Sequence, residues 1–191
     1  MRLPKMVHIM EVGPRDGFQA EHDWIPTEQK IEIVDALSRT GLSEIQATSF
    51  VHPKAVPQLR DAEEVMTKIT RVPGVRYQAL VPNMKGLQRA MASGVDGVHL
   101  MMSVTEAHNR SNANRSIEDS FKEFEQMVPM AQAAGIKVEA GMACVFGCPF
   151  EGEVPMEQLD RIITRYRGMG IAQMSLGDTI GVANPLQTYD T

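Results

Sequence analysis

The chain has 191 residues, 43% hydrophobic and 23% charged, which is the composition of one globular domain with a sizeable core and excludes a disordered chain. Its net charge of -5 is spread over both signs without long runs, which argues against nucleic acid or an anionic membrane as the partner. No run approaches the ~20 apolar residues that span a bilayer, and residues 1–5 lack a secretory apolar core, so a cytoplasmic protein is expected.

The apolar run at residues 7–10 reads as a first strand, and Glu11-Val12-Gly13-Pro14-Arg15-Asp16-Gly17 follows as a turn that places Arg15 and Asp16 at the strand's end. Pro26 to Lys30 opens a helix in which Ile31, Val34 and Leu37 recur at helical spacing until Gly41. A second strand spans residues 44–51, and a Pro-broken loop with His52 leads to a helix at residues 61–71. A third strand at 76–81 ends at Pro82-Asn83, a short helix covers 85–93, and a fourth strand covers 97–103. The polar stretch 105–115 reads as a long loop, of the kind that is functional or disordered. Ser116, with an acid three residues on, caps a long helix ending at Gly135. A fifth strand at 137–145, a helix at 156–169 and a sixth strand at 173–178 complete the series, and residues 187–191 fall inside the next expected helix.

Gly41-Leu42, Gly74-Val75, Gly94-Val95, Gly135-Ile136 and Gly170-Ile171 each join a helix-ending glycine to an apolar residue just before a strand. Recurrence at about thirty residues is the mark of successive βα units and of a parallel sheet with right-handed crossovers. A doubly wound sheet and a (β/α)8 barrel both satisfy this, although no Gly-x-Gly-x-x-Gly follows the first strand. A barrel needs eight strands in typically ~250 residues, so the reading is a single partial barrel domain of about six βα units over 1–191.

Cys144 and Cys148, without a second Cys or His pair, are expected to be reduced, packed or loop-lining thiols. The 14 methionines are scattered through apolar positions and are expected to fill the core. On the barrel reading the carboxyl ends of the strands gather Arg15 and Asp16, Ser49 and His52, Asn83, Ser103, Cys148, and Asp178 with Thr179. An Arg, two Asp and several neutral donors suit an anionic, oxygen-rich substrate and a hard divalent cation.

The motif Glu11-Val12-Gly13-Pro14-Arg15-Asp16-Gly17-Phe18-Gln19, with Thr48-Ser49-Phe50-Val51, Gly147-Cys148-Pro149-Phe150-Glu151-Gly152 and Ser175-Leu176-Gly177-Asp178-Thr179-Ile180-Gly181, closely resembles the hydroxymethylglutaryl-CoA lyase family. That family lies within the metal-dependent barrel superfamily that includes isopropylmalate synthase. The resemblance implies retro-Claisen cleavage of a 3-hydroxyacyl-CoA to acetyl-CoA and a 3-oxo acid, with a divalent metal, Mg²⁺ or Mn²⁺. It implies Asp16 as a metal ligand, Arg15 as the enolate-stabilising group and Asp178 as a positioner of the substrate hydroxyl or the base. Gln19, Gln46, Ser49, His52, Asn83 and Thr179 are the substrate-binding candidates, and Lys54, Lys85, Arg110 and Arg115 are candidate partners for the phosphates of CoA. Asp178 has a competing role as the N-cap of the helix after it. The full-length enzyme is expected to be a homo-oligomer that binds no nucleic acid and no membrane.

Two departures from the family pattern stand out. Gln46 occupies a position where the family has Glu, and the family's His-x-His metal pair, later Asn and mobile Cys loop fall beyond the sixth strand. The five histidines here, His8, His22, His52, His99 and His108, include no i, i+2 pair. The alternatives are a Claisen-type synthase or 2-oxo-acid aldolase of the same superfamily, and an inactive fragment with exposed sheet edges.

Overall fold

The computed structural model describes residues 5–191. Residues 1–4, part of the stretch read above for a secretory signal, lie outside the described residues. The chain resolves into two compact units, residues 5–81 with 85–98, and residues 82–84 with 99–191.

In the first unit three strands follow chain order: β1 (Met10–Glu11), β2 (Glu44–Ser49) and β3 (Arg76–Leu80). The pairs are parallel, with Met10 opposite Glu44 and Ile45 opposite Tyr77. β1 is shorter than the apolar run predicts because β2 starts at Glu44, the partner of Met10, and offers nothing to residues 7–9. Met6, Val7 and Ile9 are accordingly exposed. β2 is buried along its whole length, as expected for a parallel strand covered on both faces. Its register against β3 shifts between Gln46 and Thr48, a bulge of the kind that re-aims side chains near functional sites.

Helices α1 (Phe18–Ala20), α2 (Thr27–Leu37), α3 (Ala62–Lys68) and α4 (Met84–Ala92) alternate with these strands, and Val34, Ile45, Phe50, Met66, Tyr77 and Leu87 form the core. Tyr77 carries its hydroxyl into that core, where it donates to Ser38 Oγ at 2.8 Å, so the polar end is satisfied.

β4 (Gly97–Ser103) begins in the first unit and continues into the second, with the limits the sequence predicts. The second unit carries β5 (Lys137–Ala143) and β6 (Met174–Leu176), paired in parallel with Gly141 opposite Ser175. The stretch predicted as a long loop is instead a helix, α5 (Glu106–Ala113), closed by Asn114 in the left-handed region at φ 53. Its anchor is polar, which apolar periodicity cannot detect. Buried Asn109 accepts from Ser103 N at 3.0 Å and donates to Arg115 O at 3.1 Å and Ser120 Oγ at 2.9 Å.

α6 (Ile117–Ala133) starts at the predicted cap, Ser116 Oγ accepting from Asp119 N at 3.0 Å. With α7 (Met156–Gly168) it buries Phe121, Phe124, Met127, Ile162 and Tyr166, the Phe121 and Tyr166 rings lying 5.4 Å apart. α8 (Pro185–Asp190) is the helix expected at residues 187–191. The five joint glycines all lie at positive φ, between 72 and 90°, where a Cβ would be strained, so the repeat seen in the sequence is a repeat of helix ends. No helix among the described residues is long and apolar enough to cross a membrane.

Candidate active site

At the mouth of β1 the backbone winds into a single helical turn, Gly13–Gly17, which runs directly into α1. Neither Gly13 nor Gly17 has positive φ, so the turn does not draw on glycine's conformational freedom. Gly13 serves a different purpose, since a Cβ there would stand 2.9 Å from Glu11 Oε1, the atom that accepts from Gly13 N at 2.6 Å. The turn thereby holds Arg15 against β2. Arg15 Nε donates to Gln46 Oε1 at 2.5 Å, and Nη1 pairs with Asp16 Oδ1. The Arg15 side chain is 13% exposed and that of Asp16 62%. Burial pushes the Arg15 guanidinium below its ordinary value, and the Asp16 charge partly restores it. Gln46 itself is buried.

The loops that carry this pair are tied by a feature that periodicity does not report. Lys30, on α2, is buried and donates to Gln58 O at 2.5 Å and to the two oxygens of Asp61 at 2.9 and 3.0 Å. Its ammonium also lies 3.7 Å over the Trp24 ring, and the Arg60 guanidinium lies 3.7 Å over the same ring. Residues 21–26, after β1, are thereby fastened to residues 57–61, after β2, with Gln58 Nε2 donating to Glu21 O at 2.9 Å. Charge alternation in the sequence does not distinguish Lys30 from its solvated neighbours; the signal is its place on the inner face beside Val34.

Several other first-unit candidates are engaged locally. Ser49 Oγ accepts from Val51 N at 3.3 Å, and exposed His52 accepts from Lys54 N at 3.2 Å, so both shape their own loop. Gln19 is exposed on α1, and Lys54 and Lys85 are exposed. The groove of about 480 Å³ lined by residues 71–77 and Asp96 sits at the amino end of β3, and its Arg71 is paired with Asp96 at 2.8 Å, so it is no substrate site for Arg15.

In the second unit the strand mouths are stitched to one another. Gly177 N donates to Met142 O at 2.8 Å, and a Cβ at Gly177 would stand 2.9 Å from that carbonyl, so only glycine lets the end of β6 approach β5 so closely. Asp178 follows, its two oxygens accepting from Val182 N at 3.0 Å and Ala183 N at 3.1 Å. It is not the helix cap the sequence offered as its alternative role; Asn184 caps α8 by accepting from Gln187 N at 2.9 Å. Thr179 Oγ1 accepts from Cys144 N at 2.8 Å, with Cys144 itself held at φ 61.

Both cysteines are buried free thiols, as predicted. Burial pushes both thiols up; at Cys148 the Thr105 hydroxyl, donating at 3.0 Å, and the backbone N–H groups of Phe150 and Glu151 outweigh it and leave this thiol below its ordinary value. Glu151 accepts from Ala107 N at 2.6 Å at the start of α5, and Ser103 Oγ shares a 2.6 Å hydrogen bond with His108 Nδ1. Neither His108 nor Asn109 was singled out as a site residue, because both sit in the stretch read as a loop. Arg115 pairs with Glu123 and donates to Pro82 O at 2.7 Å, and Arg110 pairs with Glu106 at 2.7 Å, so these two arginines are already bonded within the protein. Asn83 is half-buried after β3.

The carboxylate of Asp16 is a hard oxygen donor suited to Mg²⁺ or Mn²⁺. Among the described residues, however, no group of three or more His, Cys, Asp or Glu side chains could hold a metal. The described residues therefore bring Asp16 to the strand mouth without gathering three such ligands around it.

Comparison with known proteins places this geometry. The chain is 50% identical over 187 residues to hydroxymethylglutaryl-CoA lyase YngG of Bacillus subtilis, covering 98% of this chain and 62% of that protein. It is 44% identical over 183 residues to the human mitochondrial hydroxymethylglutaryl-CoA lyase, covering 96% of this chain and 56% of that one. Among solved structures, an HMG-CoA lyase from Acinetobacter baumannii in complex with coenzyme A and 3-methylmalate superposes with a TM-score of 0.94 at 39% identity, over 97% of this chain and 60% of that chain. The chain thus spans about three fifths of the length of the relatives it matches. Its described residues carry six strands of a TIM-barrel-type α/β fold, in agreement with the barrel reading and not with the doubly wound one. The HMGL-like family model matches residues 6–191, and the chain belongs to that family.

Proposed function

We propose that the protein containing this chain, as one partial barrel domain here, is a divalent-metal-dependent acyl-CoA lyase that cleaves 3-hydroxy-3-methylglutaryl-CoA or a related 3-hydroxyacyl-CoA to acetyl-CoA and a 3-oxo acid. In this retro-Claisen step a base takes the proton of the substrate hydroxyl, the oxygen's electrons close a carbonyl, and the adjacent carbon–carbon bond breaks. Its electron pair passes to the thioester as an enolate, which is then protonated on carbon to give acetyl-CoA.

The observation that carries the reading is the half-buried Arg15, pinned to Gln46 at the mouth of β1 and paired with an exposed Asp16. A fixed guanidinium is what a developing enolate oxygen requires, because it supplies charge-assisted donors without reorganisation. Asp178 accepts the substrate hydroxyl or orients the base, and Gln46, Gln19 and Asn83 contact the acyl group. Ser49, His52 and Thr179 act through the loops they shape. Asp16 is this chain's contribution to holding Mg²⁺ or Mn²⁺, and no step is assigned to the ion. A homo-oligomeric full-length enzyme in the cytoplasm completes the reading.

The test is to assay the full-length protein for 3-oxo acid release from 3-hydroxy-3-methylglutaryl-CoA with Mg²⁺ or Mn²⁺ and after chelation. Release that disappears on chelation is expected. No release from any 3-hydroxyacyl-CoA, or product formed only from acetyl-CoA and a 2-oxo acid, overturns the reading.

A further inference from the structure

We infer that Gln46 is a second donor to the thioester carbonyl oxygen of the substrate, acting beside Arg15, and so selects ligands that present an acceptor at that point. The inference rests on the acyl-CoA reading above and deepens it.

The orientation of the Gln46 amide is forced by its partner. A guanidinium only donates, so the amide oxygen must face Arg15 Nε, as the 2.5 Å contact has it. The amide NH₂ then faces elsewhere, and no acceptor for it exists among the described residues. Arg15 is in the same position: Nε and Nη1 are engaged, and Nη2 has no acceptor among the described residues. Two adjacent side chains, one 1% exposed and the other 13%, thus present donors that the protein does not use. Neither Gln46 Nε2 nor Arg15 Nη2 is among the fully buried unpartnered atoms, so both donors face space that water or a ligand can enter. The bulge immediately after Gln46 and the helical turn that carries Arg15 fix both positions.

Charge indicates what the acceptor is. Arg15 and Asp16 sum to zero and Gln46 is neutral, so these three side chains by themselves bring no net positive charge to balance a resting carboxylate. It suits a neutral carbonyl on which negative charge develops during reaction, with one donor from each side chain. A carboxylate at this position, as the family has, presents only acceptors and cannot make this second donation.

The experiment uses the full-length protein and two CoA derivatives that differ at this atom alone: acetyl-CoA, with a thioester carbonyl, and S-ethyl-CoA, with a methylene in its place. Calorimetric dissociation constants are measured for the wild type, Gln46→Glu and Gln46→Met. The wild type is expected to prefer acetyl-CoA about a hundredfold, roughly tenfold for each of the two hydrogen bonds. Both variants are expected to keep only the roughly tenfold share that Arg15 supplies while binding S-ethyl-CoA within about twofold of the wild type, which also reports an intact site. A preference undiminished in either variant, or absent from the wild type while both compounds bind, overturns the role of Gln46 and leaves the lyase reading standing. Failure of both compounds to bind the wild type overturns the acyl-CoA reading and this inference with it.

Discussion

The mouths of the strands in the two units use polar residues in opposite ways. In the second unit nearly every polar group at a strand end is engaged by a neighbouring loop: Asp178 in part, by two backbone N–H groups, Thr179 by Cys144, Cys148 by Thr105, Glu151 by the start of α5, and Asn109 by three partners. In the first unit Arg15 and Gln46 satisfy each other only in part and keep donors unspent. A polar residue at a strand mouth is thus not by itself a site residue. What separates the two kinds is whether the protein has already answered its hydrogen-bonding capacity.

The contrast can be broken with substitutions, the largest effect first. Arg15→Met in the full-length protein removes the guanidinium and keeps most of the volume; cleavage is expected to fall on the order of 10³-fold with little change in melting temperature, measured by steady-state assay and calorimetry. Asp178→Asn keeps one acceptor and loses the other. Cleavage is expected to fall about 10²-fold, and stability by about 1 kcal/mol, because Asp178 belongs to both classes, loop tie and positioner. Unchanged cleavage with the same stability loss would move Asp178 wholly into the stitched class. Asn109→Ala strips three hydrogen bonds from a buried site and is expected to cost about 2 kcal/mol in denaturant unfolding, while the folded fraction keeps its turnover. A turnover loss beyond the unfolded fraction would make α5 part of the site.

The sequence made the frame of both units legible because that frame rests on local rules. β4 has its predicted limits at Gly97 and Ser103, the Ser116 cap forms, and the five joint glycines take the positive φ that ends each helix. The places where prediction failed share one cause, a polar group doing what patterning assigns to apolar ones. α5 went unread because Asn109, not a leucine, holds it to β4. Lys30 went unread because its burial depends on Asp61, thirty-one positions on, and on the Trp24 ring. At the site, Arg15 and Asp16 were legible as a motif, and Gln46 as a departure from the family pattern. That Gln46 turns its oxygen to Arg15 and leaves its amide hydrogens free was not, since no rule of spacing pairs residues across two strands. Asp178 was legible as a site candidate, but its alternative role was misplaced: Asn184, nearer α8, takes the cap.

The most direct test of the unspent donors is the side-chain amide spectrum of the full-length protein, with Mg²⁺ present, as acetyl-CoA is added. Gln46 and Asn109 are both buried amides, one with free hydrogens and one with both donors and acceptor engaged. The account predicts that the Gln46 NH₂ pair shifts on saturation while the Asn109 pair stays where it was. A stationary Gln46 signal in protein saturated with acetyl-CoA would contradict it.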